Sequence, residues 1–167
     1  LEVCNVNPNH LNDVLSKLVS SGVELICEKK SIIVKGNKNI LPTNIVTGPY
    51  PAFPTDLQAQ WVAYMSIANG TSIVEEGIYF DRFTHIPELN RLGANIFLDK
   101  NIAKIEGVDF LRGAPVMSTD IRASASLILA ALYSRGETEI SRIYHIDRGY
   151  EKIETRLKHI GADIKRV

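Results

Sequence analysis

The chain has 167 residues, and its 19 Lys and Arg residues balance 19 Asp and Glu residues, so the formal net charge is zero. This length allows a buried apolar core, while a neutral composition without a basic run argues against nucleic acid as a partner. The longest apolar run, residues 125–133, is far shorter than the ~20 residues of a membrane-spanning helix, so we expect a cytoplasmic protein without a membrane partner.

The first predicted unit covers residues 1–40 and contains only half of the pattern that follows. A strand at 1–5 precedes an amphipathic helix at 10–21, and the segment VELICEKKSIIVKG at 23–36 alternates as a hairpin does. The chain begins with Leu1 and contains no signal peptide, which predicts that it is a piece of a longer protein.

Two cysteines lie in this unit, Cys4 and Cys27. Their spacing matches no metal-binding motif, and two cysteines are too few for a disulfide framework. We expect both to be reduced side chains that pack in the interior. We also expect no metal ion and no cofactor, because the sequence contains neither a zinc motif nor a glycine-rich phosphate loop.

The second predicted unit, residues 43–107, is the complete one. Its second helix has a proline in the first turn and a glycine just past its end, as helix termini often do. The next segment, ANIFLDKNIAKIEG, alternates on both sides of a polar turn and predicts a hairpin. The predicted order is therefore βαβαββ: strand 44–48, helix 56–68, strand 71–76, helix 87–92 and the hairpin.

The third predicted unit, residues 114–167, repeats this order but lacks the last strand. Its first helix is apolar on every side, which predicts that protein surrounds it, whereas its second helix has one charged face. The predicted elements are strand 114–118, helix 121–134, strand 137–141, helix 150–160 and strand 162–167. We expect an α/β fold with the apolar helices at the centre, amphipathic helices outside them, and strands in small sheets.

Landmark sequences recur at similar spacing in the second and third units. Thr55-Asp56 recurs as Thr119-Asp120, and RLGANIFL recurs as HIGADIKRV. Self-similarity at a fixed period indicates repeated structural units. Equivalent junctions of the two units are therefore expected at the same end of the domain.

Charged residues occur at the junctions that lead into the predicted helices: Asp56, Arg82, Asp120, Arg122 and Arg148. Free N–H groups at helix N-termini, together with three guanidinium groups, are suited to a phosphate or a carboxylate. Other interpretations stay open, since Asp56 and Asp120 have the position of ordinary helix caps and each arginine could form a surface ion pair.

Three longer segments, TGPYPAFPTDLQAQ, STDIRASASL and RIYHIDRGYEKIE, resemble the C-terminal part of the UDP-N-acetylglucosamine 1-carboxyvinyltransferase family. The resemblance implies an inside-out α/β barrel of repeated βαβαββ units, with helices inside and small sheets outside, of which this chain is an incomplete domain. It also implies phosphoenolpyruvate, UDP-N-acetylglucosamine and the N-terminal part of the same chain as partners, without a cofactor.

This family transfers the enolpyruvyl group of phosphoenolpyruvate to the 3-hydroxyl of UDP-N-acetylglucosamine and releases phosphate, the first committed step of peptidoglycan synthesis. By resemblance, Asp56 is the candidate general base that contacts the 3-hydroxyl, and Asp120 is a second catalytic carboxylate near the reacting centre. The resemblance further implies that the substrates are bound by the backbone of Ile78 and by Arg82, Arg122 and Arg148, the last being nearest phosphoenolpyruvate.

Two alternatives are weighed against this interpretation. 5-Enolpyruvylshikimate-3-phosphate synthase shares the fold, and a repeat domain could bind a nucleotide sugar without catalysis. The segments HIDRGYE and PYPAFPTD favour the sugar-nucleotide enzyme, and the joint presence of Asp56, Asp120, Arg122 and Arg148 favours catalysis. The catalytic loop of the family lies outside this sequence, so we expect the chain alone to be inactive.

Overall fold

Three small sheets and five α-helices make up the computed structural model, which describes residues 1–167. The strands are β1 Glu2–Cys4, β2 Glu24–Cys27, β3 Ser31–Lys35, β4 Ile45–Val46, β5 Thr71–Glu75, β6 Asn95–Asp99, β7 Ile102–Glu106, β8 Pro115–Met117 and β9 Glu139–Ser141. The helices are α1 Asn12–Ser20, α2 Gln58–Met65, α3 Ile86–Arg91, α4 Ile121–Tyr133 and α5 Ile153–His159. Short 3₁₀ turns occupy Pro8–Leu11, Thr55–Leu57 and Ile143–Arg148.

Each sheet is formed by one continuous region of the chain. The first sheet has the antiparallel order β1-β3-β2. The largest has the order β4-β5-β7-β6, in which β4 and β5 are parallel and the other pairs antiparallel. The strands β8 and β9 form a parallel pair. From β4 to β7 the elements follow the order βαβαββ, as predicted from the sequence.

The helices α2 and α4 pack against each other in the core, whereas α1 and α5 contain no fully buried residue. α2 buries six of its eight residues, and α4 buries seven of its thirteen. Trp61 of α2, Leu127 of α4 and Leu89 of α3 belong to one apolar cluster of 21 buried residues. The prediction of apolar helices at the centre and amphipathic helices outside is confirmed.

The prediction that protein surrounds the whole of α4 is wrong for one side of the helix. Leu129, Leu132 and Tyr133 are each more than two-fifths exposed. The physical reason is that α2, the turn Ile143–Arg148 and α3 pack against other parts of α4 and leave these three side chains uncovered.

The predicted strand at 162–167 is also wrong, because these residues form no regular element. The equivalent strand of the preceding region, β6, pairs only with β7. No strand of the structure pairs with residues 162–167. A strand that lacks its partner loses the inter-strand hydrogen bonds that hold it extended.

Cys4 and Cys27 are free thiols, but both are exposed, so the prediction that they pack in the interior is wrong. They lie at the ends of β1 and β2, and this sheet buries only Ser31 and Ile32, both on its central strand. The longest helix, α4, has 13 residues, and the structure contains no helix with the length and apolar character of a membrane span.

Candidate functional site

The two central helices begin at the same end of the molecule, and the candidate residues lie at these two beginnings. Asp120 immediately precedes α4, and Asp56 lies in the 3₁₀ turn that precedes α2. Arg122, in the first turn of α4, reaches across to the carboxylate of Asp56. The repeated Thr-Asp junctions are therefore adjacent in space, as their sequence equivalence predicted.

Asp120 is a helix cap, as one of the open interpretations proposed. Its Oδ1 accepts hydrogen bonds from the backbone N–H groups of Arg122 at 2.7 Å and Ala123 at 3.1 Å. Its Oδ2 accepts a hydrogen bond from the hydroxyl of Thr84 at 3.1 Å. Burial opposes ionisation, but these hydrogen bonds and the nearby His85 outweigh it, so the pKa of Asp120 lies below its ordinary value.

Asp56 is not a cap, because neither the turn Thr55–Leu57 nor α2 has a side-chain cap at its beginning. Its Oδ1 instead accepts hydrogen bonds from Nε of Arg122 at 2.8 Å, from Nη2 of the same arginine, and from Nη1 of Arg82 at 3.4 Å. Its Oδ2 has no partner, and two-thirds of the side chain is exposed. The free oxygen therefore faces solvent while its neighbour is fixed by two guanidinium groups.

Arg82 is more firmly held than a lone surface arginine. Only 18% of its side chain is exposed, and its Nη1 also donates a hydrogen bond to the hydroxyl of Thr55 at 2.9 Å. Its guanidinium lies over the ring of Tyr79, 4.2 Å from the ring centre. Packing on an aromatic ring and two hydrogen bonds fix the direction of this positive charge.

Arg148 and Ile78 lie close to this cluster without joining its hydrogen bonds to Asp56. Arg148 is exposed, and its guanidinium has no hydrogen bond or ion pair. The next residue, Gly149, packs so tightly on Ile121 at the beginning of α4 that a Cβ would lie 2.4 Å from a side-chain carbon. The backbone at Arg148 is therefore next to the beginning of α4, and its guanidinium is exposed and unpaired.

Ile78 follows β5 in an exposed loop, and only its backbone is engaged. Its N–H group donates a hydrogen bond of 2.9 Å to Oε1 of Glu76, while its carbonyl oxygen accepts none. A ligand that contacts the backbone here would consequently use the carbonyl.

Glu76 and His85 were not among the residues predicted for the site, although both are buried beside it. Burial opposes ionisation of Glu76, but hydrogen bonds from Thr47, Thr55 and two backbone N–H groups outweigh it and lower the pKa of its carboxyl. A signal was present: the alternation of β5 directs Ser72, Val74 and residue 76 to the same buried face.

His85 is 2% exposed, and its Nε2 has no hydrogen-bond partner. Burial lowers the pKa of its imidazole to about 4, although the charge of Asp120 opposes this effect. The histidine is thus a neutral group beneath the α4 end of the site.

The arrangement combines a carboxylate that has one free oxygen with three guanidinium groups and the N-terminus of a buried helix. A carboxylate so placed can accept a proton from a hydroxyl group. Fixed positive charges beside it stabilise an anionic substrate and a leaving phosphate. The arrangement can therefore bind an anionic group beside a hydroxyl group.

Comparison with known proteins identifies the family. The family model for EPSP synthase (3-phosphoshikimate 1-carboxyvinyltransferase) matches residues 1–157. The chain belongs to the EPSP synthase family. Among curated EPSP synthase family relatives, UDP-N-acetylglucosamine 1-carboxyvinyltransferase of Chlorobium chlorochromatii is 49% identical over 166 residues, which are 99% of this chain and 39% of that protein. The enzyme of the same name from Geotalea daltonii is 52% identical over 167 residues, 100% of this chain and 40% of that protein.

The solved structures that resemble this EPSP synthase family chain are enolpyruvyl transferases. NikO from Streptomyces tendae superimposes with a TM-score of 0.90 at 25% identity, over 100% of this chain and 40% of NikO. EPSP synthase from Acinetobacter baumannii superimposes with a TM-score of 0.70 at 15% identity, over 93% of this chain and 37% of that protein, which shows the fold alone. The predicted enolpyruvyl-transferase fold is confirmed, and the chain spans about two-fifths of the length of these proteins.

Proposed function

We propose that this chain is part of a cytoplasmic enzyme that transfers the enolpyruvyl group of phosphoenolpyruvate to the 3-hydroxyl of UDP-N-acetylglucosamine and releases phosphate in peptidoglycan synthesis. The observation that carries the proposal is the Asp56 carboxylate: two arginines hold Oδ1, while Oδ2 is free and exposed. The names of relatives that are about half identical over the whole chain support it.

In the proposed reaction, Oδ2 of Asp56 accepts the proton of the sugar 3-hydroxyl while the hydroxyl oxygen bonds to the substituted carbon of the enolpyruvyl group. The C=C π bond breaks in this step, and its methylene carbon takes up a proton to become a methyl group. Arg122 and Arg148 stabilise the carboxylate and phosphate of phosphoenolpyruvate. Arg82 fixes the direction of Asp56, and the carbonyl of Ile78 receives a donor of the sugar nucleotide. Phosphate then leaves from the tetrahedral intermediate as the C–O bond to it breaks, and the methyl carbon loses a proton, which restores the double bond.

Asp120 is proposed as the second carboxylate near the reacting centre. One of its oxygens caps α4 and the other binds Thr84, so its position is fixed by three donors. A fixed carboxylate beside the enolpyruvyl group stabilises positive charge that develops on the attacked carbon.

The identity of the acceptor separates the proposal from its alternative. Relatives named UDP-N-acetylglucosamine 1-carboxyvinyltransferase are 48–52% identical to the chain, whereas EPSP synthase from Acinetobacter baumannii is 15% identical. The direct contacts among Asp56, Arg82 and Arg122 favour catalysis over simple binding of a nucleotide sugar, since the two arginines leave one oxygen of the carboxylate free for chemistry.

The exposed face of α4 supports the proposal that the N-terminal part of the same protein completes this domain. Leu129, Leu132 and Tyr133 line an apolar groove of about 420 Å³ with Trp61 and Tyr64 of α2, and 13 of its 14 lining residues are hydrophobic. Residues 1–40 contain only the second half of a repeat unit, and the missing first half would supply a third central helix. Without it the groove stays open, and we expect the isolated chain to be inactive.

The experiment is an assay of phosphate release by the full-length protein that contains this chain. Phosphoenolpyruvate is supplied with UDP-N-acetylglucosamine or with shikimate 3-phosphate, for the unsubstituted protein and for Asp56→Asn. Release with the sugar nucleotide alone, lost in Asp56→Asn, supports the proposal. Release with shikimate 3-phosphate instead, or no release with either acceptor, contradicts it.

A further inference from the structure

One fully buried carboxylate lies under the candidate site and binds four donors. Oε1 of Glu76 accepts hydrogen bonds from the hydroxyl of Thr47 at 2.7 Å and from the backbone N–H groups of Ile78 at 2.9 Å and Tyr79 at 3.0 Å. Its Oε2 accepts a hydrogen bond from the hydroxyl of Thr55 at 2.8 Å. A buried charge is costly unless it is well compensated, and these four donors compensate this one.

The partners of Glu76 lead to two different parts of the site. Through Oε2 it binds Thr55, the residue next to Asp56, and the oxygen of the Thr55 hydroxyl accepts the hydrogen bond of Arg82. Through Oε1 it binds the N–H group of Ile78, whose carbonyl is left free. The Glu76 carboxylate therefore binds both the backbone of Ile78, which is proposed to contact the sugar, and Thr55, the neighbour of the proposed base Asp56.

The loop that follows Glu76 also packs closely against Thr47. The N–H group of Gly77 donates a hydrogen bond of 2.9 Å to the hydroxyl of Thr47. A Cβ at position 77 would lie 2.5 Å from the backbone oxygen of Thr47, so the loop cannot pack this closely with a larger residue. The position of Ile78 therefore depends on a short, rigid connection to Glu76.

We propose that Glu76 is a positioning residue that orients the acceptor-sugar half of the site. The Thr55 hydroxyl donates a hydrogen bond to Glu76, so its oxygen lone pairs remain available to Arg82, which in turn fixes Asp56. At the same time the carboxylate holds the Ile78 amide inward, so that the carbonyl is presented to the sugar nucleotide. This inference rests on the proposed function.

A neutral glutamine at position 76 cannot reproduce this arrangement, because all four partners of Glu76 are donors. The amide nitrogen of Gln would present N–H groups to Thr55 or to the Ile78 loop. If it faces Thr55, the hydroxyl oxygen must accept from two donors and its proton needs a new acceptor. The carboxylate is thus needed because it accepts all four hydrogen bonds, which an amide cannot do.

The test compares Glu76→Gln with Glu75→Gln in the full-length protein. Glu75 is the adjacent residue, and its carboxylate has no hydrogen-bond partner, so it is a matched control for the loss of one negative charge. Losing hydrogen bonds to a charged group changes affinity on the order of tenfold or more, so we expect the KM for UDP-N-acetylglucosamine to rise by roughly that factor in Glu76→Gln. The KM for phosphoenolpyruvate should stay unchanged, and Glu75→Gln should resemble the unsubstituted protein.

A purely structural role would give a different result, because partial unfolding lowers the apparent kcat and the melting temperature together without changing either KM. That result, or unchanged kinetics in Glu76→Gln, overturns the role of Glu76. If the unsubstituted protein releases no phosphate from these substrates, the proposed function fails first and the role of Glu76 fails with it.

Two substitutions at Thr55 keep the proposal testable if Glu76→Gln does not fold. Thr55→Ser keeps the hydroxyl and Thr55→Val removes it at nearly constant volume. We expect Thr55→Val to raise the KM for the sugar nucleotide and Thr55→Ser to restore it. Equal KM values for the two variants would contradict the proposal.

Discussion

The two central helices begin with the same Thr-Asp pair, yet the pair is used differently in each. At α4, the aspartate, Asp120, turns inward and caps the helix with two hydrogen bonds to backbone N–H groups. At α2, the turn Thr55–Leu57 precedes the helix and contains the aspartate. The Asp56 side chain is exposed, and one of its carboxylate oxygens pairs with two arginines. One copy of the repeat is used to stabilise a helix, and the other leaves a carboxylate oxygen free for chemistry.

The difference arises from contacts that are distant in sequence. Asp56 is held by Arg122, which is 66 residues away in the other repeat. The Thr55 hydroxyl donates a hydrogen bond to Glu76, whereas the hydroxyl of the equivalent Thr119 forms a hydrogen bond only with the hydroxyl of Thr84. Local sequence therefore does not decide which aspartate is a cap.

The largest effect should come from Asp56→Asn in the full-length protein. A general base contributes roughly 10²–10⁴-fold to a rate, so we expect kcat to fall by a factor in that range. The side chain is exposed and caps no helix, so the melting temperature should barely change. Steady-state phosphate release and thermal unfolding measure the two effects, and a large loss of stability would show that Asp56 has a structural role instead.

The buried histidine near α4 should make stability depend on pH. His85 titrates near 6.5 in an unfolded chain but at about 4 in the folded protein, so the unfolded state binds more protons between these values. Stability should accordingly fall as the pH drops from 6.5 to 4, by roughly 3 kcal/mol for a separation of this size.

Urea unfolding between pH 4 and 7 measures this loss, with His85→Phe as the matched variant that cannot titrate. In the variant, the free energy of unfolding should fall less between pH 6.5 and pH 4 than it does in the unsubstituted protein. The same slope in both proteins would mean that other groups, such as the nearby Asp120, are responsible.

A smaller effect is expected when the cap of α4 is removed. Asp120→Ala leaves two backbone N–H groups without a partner and should lower the free energy of unfolding by about 1 kcal/mol. Asp120→Asn keeps a capping oxygen and should lower it by much less. Because Asn lacks the charge, this variant separates the cap from any catalytic role: it should keep stability while losing activity.

The smallest effect on stability should come from the ion pair that joins the two helices. The pair between Arg122 and Asp56 is partly exposed, so Arg122→Gln should change the free energy of unfolding by less than about 1 kcal/mol. Phosphate release should nevertheless fall clearly, because the arginine also faces the proposed phosphoenolpyruvate site. Unchanged phosphate release would remove Arg122 from the mechanism.

Much of the fold could be predicted from patterns that are local in the sequence. The apolar character of α2 and α4, the charged faces of α1 and α5, and the hairpin β6–β7 all follow from periodicity. The strand at 162–167 was predicted from the same kind of pattern and was wrong, because strand formation depends on a partner and none is present.

The candidate site was predicted less completely, since the pattern of charged residues shows their presence but not their contacts. Asp56, Arg82 and Arg122 come together as expected, but sequence reasoning missed Glu76, the residue that connects them to Ile78. Its burial could be inferred from the alternation of β5, whereas its four donors come from three separate segments of the chain.

The contact between Asp56 and Arg122 also has a consequence for the synthesis of the protein. The two residues are separated by 66 positions, so the ribosome adds Asp56 well before its partner exists. At roughly 5–20 residues per second, that interval lasts between about 3 and 13 seconds. During this time the nascent middle repeat carries a solvated carboxylate with no ion pair to Arg122. The pair can close only after the beginning of the last helical repeat has left the exit tunnel.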